Sequence, residues 1–332
     1  MTQRHFCTYF DHRYLARGLA LHASLSRHSP DCILWVLCLS DVCAQALRQL
    51  ARPGLRPVTL AELEHFDPEL AACKGNRSLV EYYFTCSPCL PRYVFQMVPS
   101  TQSITYLDSD LYFFADAEEI FRTIGNCSVG ITPHRFTPRA QSSHGKFGKY
   151  NVGLLYFRRD VAGLACLEWW RQQCIHWCYD RLEGERYADQ KYLEQFEGLF
   201  PGVCNIDHPG VNLAPWNIAT HTMEASETGP KVDGRPLIFF HFQGIRKLSR
   251  QRYDSNLSGY GARLSPTARD HVFLPYLKEL SALEEMLVRD GILNSIEPGV
   301  RREAVGLLAI WRRFKRDLRQ VRAGMLGNIV RF

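Results

Sequence analysis

The sequence contains no apolar stretch long enough to span a bilayer, no internal repeat and no low-complexity tract. These absences argue against an integral membrane protein, a repeat array and a disordered binder. Residues 1–10 also lack the pattern of a secretory signal, which is a charged segment followed by an apolar one. Because twelve cysteines are scattered through apolar contexts, we expect free thiols and a cytoplasmic protein.

A zinc-type cysteine cluster is not expected either. Cys86 and Cys89 have the spacing of a metal or redox motif, but no second pair follows at zinc-ligand spacing. A free cysteine behaves as a small hydrophobic residue, so we interpret this pair as ordinary buried thiols.

The composition is that of an ordinary folded enzyme. The 332 residues are 46% hydrophobic and 22% charged, which is close to the average of globular proteins. Burial of this apolar content offsets the conformational entropy of the chain, so the fold needs no disulfides. The length suits one large α/β domain with an appendage, or two modest domains.

Short, continuous apolar runs alternate with helical patterns along most of the chain. Such runs are typical of strands covered on both faces, and they predict a mixed, mostly parallel α/β sheet with flanking helices. We predict a catalytic domain over 1–265 and a helical, basic C-terminal extension over 266–332. The predicted strands are His5–Tyr9, Cys32–Leu39, Leu55–Leu60, Ser103–Leu107, Val129–Thr132, Val152–Phe157 and Leu237–Phe242. The predicted helices are Tyr14–Leu25, Leu164–Arg181, Tyr187–Phe196, Val272–Val288 and Val305–Leu326.

Positive charge is concentrated at the C-terminal end. The net charge is +6, and residues 301–332 hold nine Lys and Arg against two acidic residues, which leaves 31 basic and 32 acidic residues in the body. Residues 305–326 form an amphipathic, basic pattern. This pattern predicts either a helix at an anionic membrane surface, through residues 301–331, or a helix packed on the body. The first alternative would make the protein peripheral on the inner face of the membrane.

An acidic pair follows the predicted strand Ser103–Leu107. Asp108 and Asp110 are separated by one residue and have apolar neighbours on both sides. Ligands of open α/β sheets bind beyond the carboxyl ends of the strands, so a ligand is expected at this position. Two carboxylates in this arrangement suit Mg²⁺ or Mn²⁺, although exposed turns also carry two acids in many proteins. Carboxylates between apolar neighbours are costly without a counter-ion, which favours the metal site.

Further polar side chains lie at strand or helix ends. His241 closes an apolar strand and is followed by Gly244 and basic residues, so it is either a metal-ligating imidazole near phosphate-binding groups or a core histidine. Asn151 begins a strand, and the pair Asp189 and Gln190 begins a helix. These three residues are either caps of those elements or members of a site.

The order and spacing of these motifs resemble the retaining glycosyltransferases of family 8 and their relatives with the GT-A fold, a Rossmann-like domain that binds nucleotide sugars. The similarity extends over residues 6–247 and includes Leu-Asp-x-Asp, Asn-x-Gly at a strand start, Asp-Gln before a helix, and His-Phe-x-Gly followed by a lysine. It implies a metal-dependent enzyme that moves a sugar from a nucleotide-diphosphate donor, a UDP-sugar, to a hydroxyl group with retention of configuration. The implied setting is bacterial-type synthesis of a cell-surface glycan or glycolipid.

The resemblance also implies roles for individual residues. The divalent cation, Mn²⁺ or Mg²⁺, would be held by Asp108, Asp110 and His241. Catalytic contacts to the transferred sugar would come from Asn151, Asp189 and Gln190. The nucleotide and its diphosphate would be bound by Thr8, Tyr9, Asp11, Asp108, Ser109, Gly244 and Lys247.

One rival enzyme class remains open. A nucleotidyltransferase or a nucleotide-sugar hydrolase would use the same metal and diphosphate site. A nucleic-acid-binding protein would need basic residues interleaved with aromatic ones over the body, and the neutral body argues against it. The expected partners are therefore a nucleotide sugar and a carbohydrate or glycolipid acceptor.

Overall fold

A seven-stranded sheet forms the centre of the protein in a computed structural model, which describes residues 3–295 and 318–332. The first eight strands of the chain are β1 (His5–Phe10), β2 (Ile33–Cys38), β3 (Leu55–Thr59), β4 (Ser103–Leu107), β5 (Leu111–Phe113), β6 (Val129–Pro133), β7 (Tyr150–Arg158) and β8 (Val203–Asn205). The order in the sheet is β3-β2-β1-β4-β7-β6-β8. Only β7 runs antiparallel to its neighbours β4 and β6. The predicted mixed, mostly parallel α/β sheet is confirmed.

Helices cover both faces of this sheet. They are α1 (Leu15–His28), α2 (Asp41–Leu50), α3 (Leu60–Phe66), α4 (Pro68–Cys73), α5 (Leu79–Met97), α6 (Glu118–Ile124), α7 (His144–Phe147), α8 (Val161–His176), α9 (Phe196–Leu199), α10 (Pro266–Ala268) and α11 (Leu274–Arg289). Successive residues of a strand point to opposite faces, so Phe6 of β1 packs in one hydrophobic cluster with α1 while Cys7 packs in a second cluster with α5 and α8. Both faces of the sheet are therefore buried.

The later strands are short and bring distant segments together. They are β9 (Met223–Glu224), β10 (Lys231–Val232), β11 (Arg235–Pro236), β12 (Phe239–His241), β13 (Arg246–Ser249), β14 (Arg252–Asp254) and β15 (Ile329–Arg331). Strand β12 pairs antiparallel with β5, and His241 lies opposite Leu111. Strand β15 pairs with β14, so the end of the chain is the third strand of a small sheet with β13.

The segment after residue 265 packs on the α1 side of the molecule. Val272, Phe273 and Leu277 are fully buried and belong to the same hydrophobic cluster as Leu19 of α1. Residues 318–325 are helical, whereas residues 305–317 of the predicted helix Val305–Leu326 lie outside the described residues. The domain boundary at residue 265 stays a prediction. Within 3–295 and 318–332, no helix combines the length and apolarity that a membrane crossing requires.

Two helices in the structure differ from the helices predicted from the sequence. The helix predicted over Leu164–Arg181 ends at His176 because Trp177 has extended backbone angles. The helix predicted over Tyr187–Phe196 is a turn at residues 188–190, a 3₁₀ helix over Lys191–Gln195 and then α9. Ala188 has a φ of 48°, which a regular helix does not allow.

Candidate active site

The two carboxylates of the acidic pair lie at the carboxyl edge of the central sheet. Strand β4 is buried along its whole length, and Asp108 follows it directly. The amide of Asp108 donates to the carbonyl of Gly153 on β7 at 3.0 Å, and the amide of Phe242 donates to the carbonyl of Asp110 at 2.9 Å. The pairing of β5 with β12 then places His241 beside both carboxylates. Sheet pairing, not sequence proximity, assembles this cluster.

One side-chain atom from each of these three residues lies within 4.8 Å of the other two. Nε2 of His241 is 3.0 Å from Oδ1 of Asp110 and 3.7 Å from Oδ2 of Asp108. The hydroxyl of Tyr106 donates to Oδ1 of Asp108 at 3.0 Å. On the far side of the imidazole, Nδ1 faces Oδ1 of Asn212 at 3.3 Å. A carbonyl oxygen only accepts, so Nδ1 carries a proton and Nε2 is the nitrogen presented to the carboxylates.

The charges of the cluster are strongly coupled. Burial lowers the pKa of His241, but Asp110 and Asp108 outweigh burial and raise that pKa above its ordinary value. Burial raises the pKa of Asp110, but the neighbouring His241 and Arg17 bring that pKa below its usual range. Burial and Asp110 together raise the pKa of Asp108. Two acids are therefore held side by side with a single proton-bearing imidazole between them, an arrangement that a divalent cation would complete.

The ligand types fit a hard divalent cation. Carboxylate oxygens suit Mg²⁺ and Mn²⁺. Imidazole is compatible with Mn²⁺ when its other nitrogen donates to an acceptor behind the ring, as Nδ1 of His241 does to Asn212. A cation bound here would act as a Lewis acid toward phosphate oxygens. The donor atoms come from a strand end, a turn and a paired strand, so the backbone fixes all three.

A cavity of about 280 Å³ opens beside this cluster. Its walls are mainly aromatic, and such faces pack against sugar rings and bases. Acidic and amide groups lie among the rings. The lining residues are Tyr9, Phe84, Asp108, Asp110, His134, Phe136, Phe147, Asn151, Val152, Tyr187, Asp189, Gln190, Trp216, His241, Gln243 and Tyr260.

The amide groups of the cavity are held by a hydrogen-bond network. Nδ2 of Asn151 donates to Oε1 of Gln190 at 3.1 Å, and the backbone amide of Val152 donates to the same oxygen at 3.3 Å. Nε2 of Gln190 donates to the carbonyl of Phe147 at 2.8 Å. Oδ1 of Asn151 accepts from the amide of Gly153 at 3.0 Å. Both side chains are therefore positioned before any substrate binds.

Asp189 is a third acid at this cavity. It is only 5% exposed, and burial, with a further contribution from Asp108, raises its pKa to about 7. A hydrogen bond with Ser87 opposes this rise in pKa. The Asp189 carboxyl group therefore titrates near neutral pH and can either accept a proton or donate a hydrogen bond to a substrate hydroxyl.

Curated proteins of similar sequence cover most of the chain. YfnF of Bacillus subtilis (strain 168), an uncharacterized protein, is 34% identical over 251 residues, which are 74% of this chain and 82% of YfnF. This chain belongs to the YfnF family. A second uncharacterized protein of the same organism, YfnD, is 29% identical over 282 residues, which are 84% of this chain and 89% of YfnD. No family model matches the sequence.

Solved structures similar to this YfnF-family chain include three glycosyltransferases. The galactosyltransferase LgtC, in complex with donor and acceptor sugar analogs, has 18% identity and a TM-score of 0.47 over 87% of this chain and 100% of its own. Mouse xyloside xylosyltransferase 1 has 13% identity and a TM-score of 0.46 over 73% and 98%. The glycosyltransferase GlyE of Streptococcus pneumoniae TIGR4 has 14% identity and a TM-score of 0.46 over 91% and 66%.

Most of the site residues predicted from the sequence of this YfnF-family chain lie on one cavity. The structure brings together Tyr9, Asp108, Asp110, Asn151, Asp189, Gln190 and His241. Ser109 lies in the turn between the two carboxylates and is partly exposed. Their roles as ligands of a metal or a substrate stay predictions.

Other predicted donor-binding residues do not line this cavity. Thr8 is fully buried in β1, and Asp11 accepts from the amide of Arg13 at 3.0 Å as the cap of a 3₁₀ turn. Gly244 lines a neighbouring cavity. Nζ of Lys247 is 2.5 Å from Oε2 of Glu284 on α11, so this lysine is held on another surface.

The sequence analysis missed two residues, Trp216 and Asn212, that lie beside the imidazole of His241. The ring centroids of Trp216 and His241 are 5.1 Å apart, and the Trp216 indole N–H donates to the carbonyl of His134 at 2.8 Å. Asn212, which faces His241, has a φ of 59°. Both missed residues lie in the irregular segment 207–217, which has no periodicity to mark it. An aromatic residue after a proline in a loop was the one available signal.

Proposed function

We propose that this protein is a metal-dependent glycosyltransferase that moves a sugar from a UDP-sugar to a hydroxyl group of a carbohydrate or glycolipid acceptor. The observation that carries the proposal is the convergence of Asp108, Asp110 and His241 at the mouth of an aromatic cavity. Such a cluster suits a cation that binds a diphosphate, and the aromatic walls suit sugar and base rings. We place the enzyme in bacterial-type synthesis of a cell-surface glycan or glycolipid.

The metal would be Mn²⁺ or Mg²⁺, held by the two carboxylates and Nε2 of His241. When bound, it would neutralise charge that develops on the departing nucleotide diphosphate. Asn212 orients the imidazole from behind, and Tyr106 orients the carboxylate of Asp108. These two hydrogen bonds hold the ligand side chains in place before the nucleotide sugar binds.

The chain's own residues support a sugar subsite next to the cation. Asn151 and Gln190 are fixed by their hydrogen bonds, and Asp108 is close enough to Asp189 to contribute to the raised pKa of Asp189. Gln190 is an amide and therefore a weak nucleophile. We therefore propose attack by the acceptor hydroxyl on the face from which the diphosphate leaves, with retention of configuration. In this mechanism the leaving phosphate accepts the proton of the acceptor.

The test measures Mn²⁺ binding by calorimetry and sugar release from nucleotide sugars, both with and without a carbohydrate acceptor. We expect Asp110→Asn to weaken Mn²⁺ binding at least tenfold and to abolish transfer, whereas Asp31→Asn, an exposed acid far from the cavity, should behave as wild type. Unchanged transfer by Asp110→Asn, or full activity in excess chelator, would reject the metal mechanism. Donor cleavage that is equally fast without an acceptor would favour the nucleotide-sugar hydrolase, and release of a sugar 1-phosphate, with transfer of the nucleoside monophosphate, would favour the nucleotidyltransferase.

A further inference from the structure

A second cavity, of about 600 Å³, adjoins the aromatic one. The two share Gln243 and Tyr260 as lining residues. The Tyr260 hydroxyl donates to Oε1 of Gln243 at 3.3 Å, and Nδ2 of Asn256 donates to the same oxygen at 3.1 Å. The side chain of Gln243 lies between the two cavities and is held in place by these two hydrogen bonds. The remaining lining residues are Gly244, Arg246, Asp254, Ser258, Gly259, Arg319 and Arg322.

The charges of the two cavities are opposite. The first contains three acids, whereas the second contains Arg246, Arg319 and Arg322 against the single acid Asp254. Nη2 of Arg246 is 2.6 Å from Oδ2 of Asp254, so that pair is neutral. Among residues 3–295 and 318–332, no acid pairs with Arg319 or Arg322. The second cavity therefore has a net positive charge and unfilled hydrogen-bond donors.

One of these donors is already desolvated. Nε of Arg246 is buried and has no hydrogen-bond partner among the described residues. A buried guanidinium N–H without an acceptor is costly, and a phosphate oxygen would satisfy it. The arginine fork matches phosphate geometry better than a lysine does, because it can donate two parallel hydrogen bonds.

The cavity is built by the fold and not by chance surface charge. Gly244 has a φ of 72°, and a Cβ at that position would lie 2.4 Å from Nδ2 of Asn256, so glycine allows the close approach of this wall. The opposite wall is the helical segment 318–325, which carries Arg319 and Arg322. Asn328 anchors that segment, because its side chain donates to Oγ of Ser258 at 2.8 Å.

We propose that this second cavity binds a phosphate group of the acceptor, next to the site where the sugar is transferred. This inference rests on the proposed glycosyltransferase function. The charge of the donor diphosphate would be neutralised by the divalent cation at Asp108 and Asp110. The donor therefore does not account for Arg319 and Arg322, which pair with no acid within 3–295 and 318–332. An anionic acceptor, such as a sugar phosphate or a phosphate-linked lipid, would present its hydroxyl to the first cavity and its phosphate to the second.

The test compares two probes on the full chain by calorimetry. Glycerol phosphate, a phosphate monoester, is titrated without metal, and UDP is titrated with Mn²⁺. We expect the double variant Arg319→Gln/Arg322→Gln to weaken glycerol phosphate binding at least tenfold and to leave the affinity for UDP with Mn²⁺ within twofold of wild type. Both arginines are exposed, so folding should be unaffected. The matched controls are Arg250→Gln and Arg331→Gln, which are exposed arginines outside the cavity.

Each outcome has a definite meaning. Equal glycerol phosphate binding by the double variant and wild type would overturn the proposal, as would equal losses in the two control variants. A tenfold loss of UDP affinity in the double variant would assign the arginines to the donor and also overturn it. Failure of wild type to bind UDP with Mn²⁺ would reject the glycosyltransferase function separately. Phosphatidylglycerol vesicles separate the two sources of phosphate: binding that is at least tenfold weaker for the double variant than for the two control variants would indicate a lipid phosphate, and equal binding by all three would indicate a soluble one.

Discussion

Gly153 allows strand β7 to lie close to the imidazole of His241. A Cβ at this position would lie 2.8 Å from Nδ1 of His241 and 2.4 Å from Oδ1 of Asn151. We therefore expect Gly153→Ala to displace the imidazole, to weaken Mn²⁺ binding at least tenfold and to lower the free energy of unfolding by about 1–3 kcal/mol. Calorimetry and urea unfolding measure the two effects. The control is Gly198→Ala, where the added methyl group meets open space; similar losses in both variants would contradict the prediction.

Asp189 should make the metal-free protein sensitive to pH. Its carboxyl group ionises near pH 4 in the unfolded chain, whereas burial raises its pKa to about 7 in the folded chain. Between these values only the unfolded state gains from losing the proton, so this group lowers the free energy of unfolding as pH rises from 4 to 7. We expect Asp189→Asn to become more stable than wild type by about 2–4 kcal/mol at pH 8, with little difference at pH 4.

Urea unfolding in chelator at both pH values measures this difference. Asp31→Asn is the control because its carboxylate is exposed. A constant difference between Asp189→Asn and wild type across the pH range would show that the carboxyl group is not perturbed.

The contrast between His241 and Lys247 shows what the sequence can predict about single residues. His241 closes β12, which pairs antiparallel with β5 outside the central sheet, so its position beside the two carboxylates was predictable from the family resemblance and not from a rule for parallel strands. The direction of Lys247 was not, because it depends on a register shift in the β13–β14 pair and on Glu284 in a much later helix. No local pattern encodes either feature.

Asn328 joins the final helical segment and β15 to the second cavity. It is fully buried, its Nδ2 donates to the carbonyl of Ala262 at 2.9 Å, and its Oδ1 accepts from the amide of Leu264 at 2.7 Å. We expect Asn328→Ala to cost about 2–4 kcal/mol in local stability, because buried partners lose their hydrogen bonds.

Hydrogen exchange of residues 318–331 measures this opening, and the rate should rise there while the central sheet stays protected. Asn294→Ala, at an exposed position, is the control. Unchanged exchange in Asn328→Ala would mean that β15 pairing alone holds the segment.

Strands were easier to predict than helices in this chain. Continuous apolar runs correctly indicated β1, β2 and β4, because both faces of the sheet are buried. Helix α5 was missed because Pro88 and Pro91 lie inside it, and proline normally disfavours a helix interior. The helix forms despite this cost because its Ser78–Glu81 capping box fixes its start and its side chains, including the free thiols of Cys86 and Cys89, are buried in the core.

The basic residues of the chain are concentrated in residues 301–331, and we relate this uneven charge to membrane binding. We propose that the basic residues over 301–331 bind an anionic membrane surface, where a lipid-linked acceptor would be found. Removing everything after residue 298 would also remove β15 and its pairing with β14, so a truncation would test stability as well as binding. A better variant changes only four basic residues, Arg312, Arg313, Lys315 and Arg316, to Gln.

We expect this variant to bind phosphatidylglycerol vesicles at least tenfold more weakly than wild type, since each basic residue near the surface contributes about 1 kcal/mol. Vesicle pelleting measures the bound fraction, and phosphatidylcholine vesicles are the control surface. Equal pelleting of the variant and wild type would contradict the proposed role of these four charges in membrane binding.

The fold class was predictable from the alternation of apolar runs and helical patterns along the sequence. The pairing of β15 with β14 was not predictable, because β15 has only three residues.

The pairing of β15 with β14 has a consequence for the growing chain on the ribosome. The carboxylates of Asp108 and Asp110 emerge long before His241, and Arg319 and Arg322 emerge later still. The lining residues of the acidic cavity, which end at Tyr260, are thus all synthesised before Arg319, Arg322 and β15. A chain that stopped before Arg319 would contain every lining residue of the acidic cavity but would lack two of the three arginines of the second cavity.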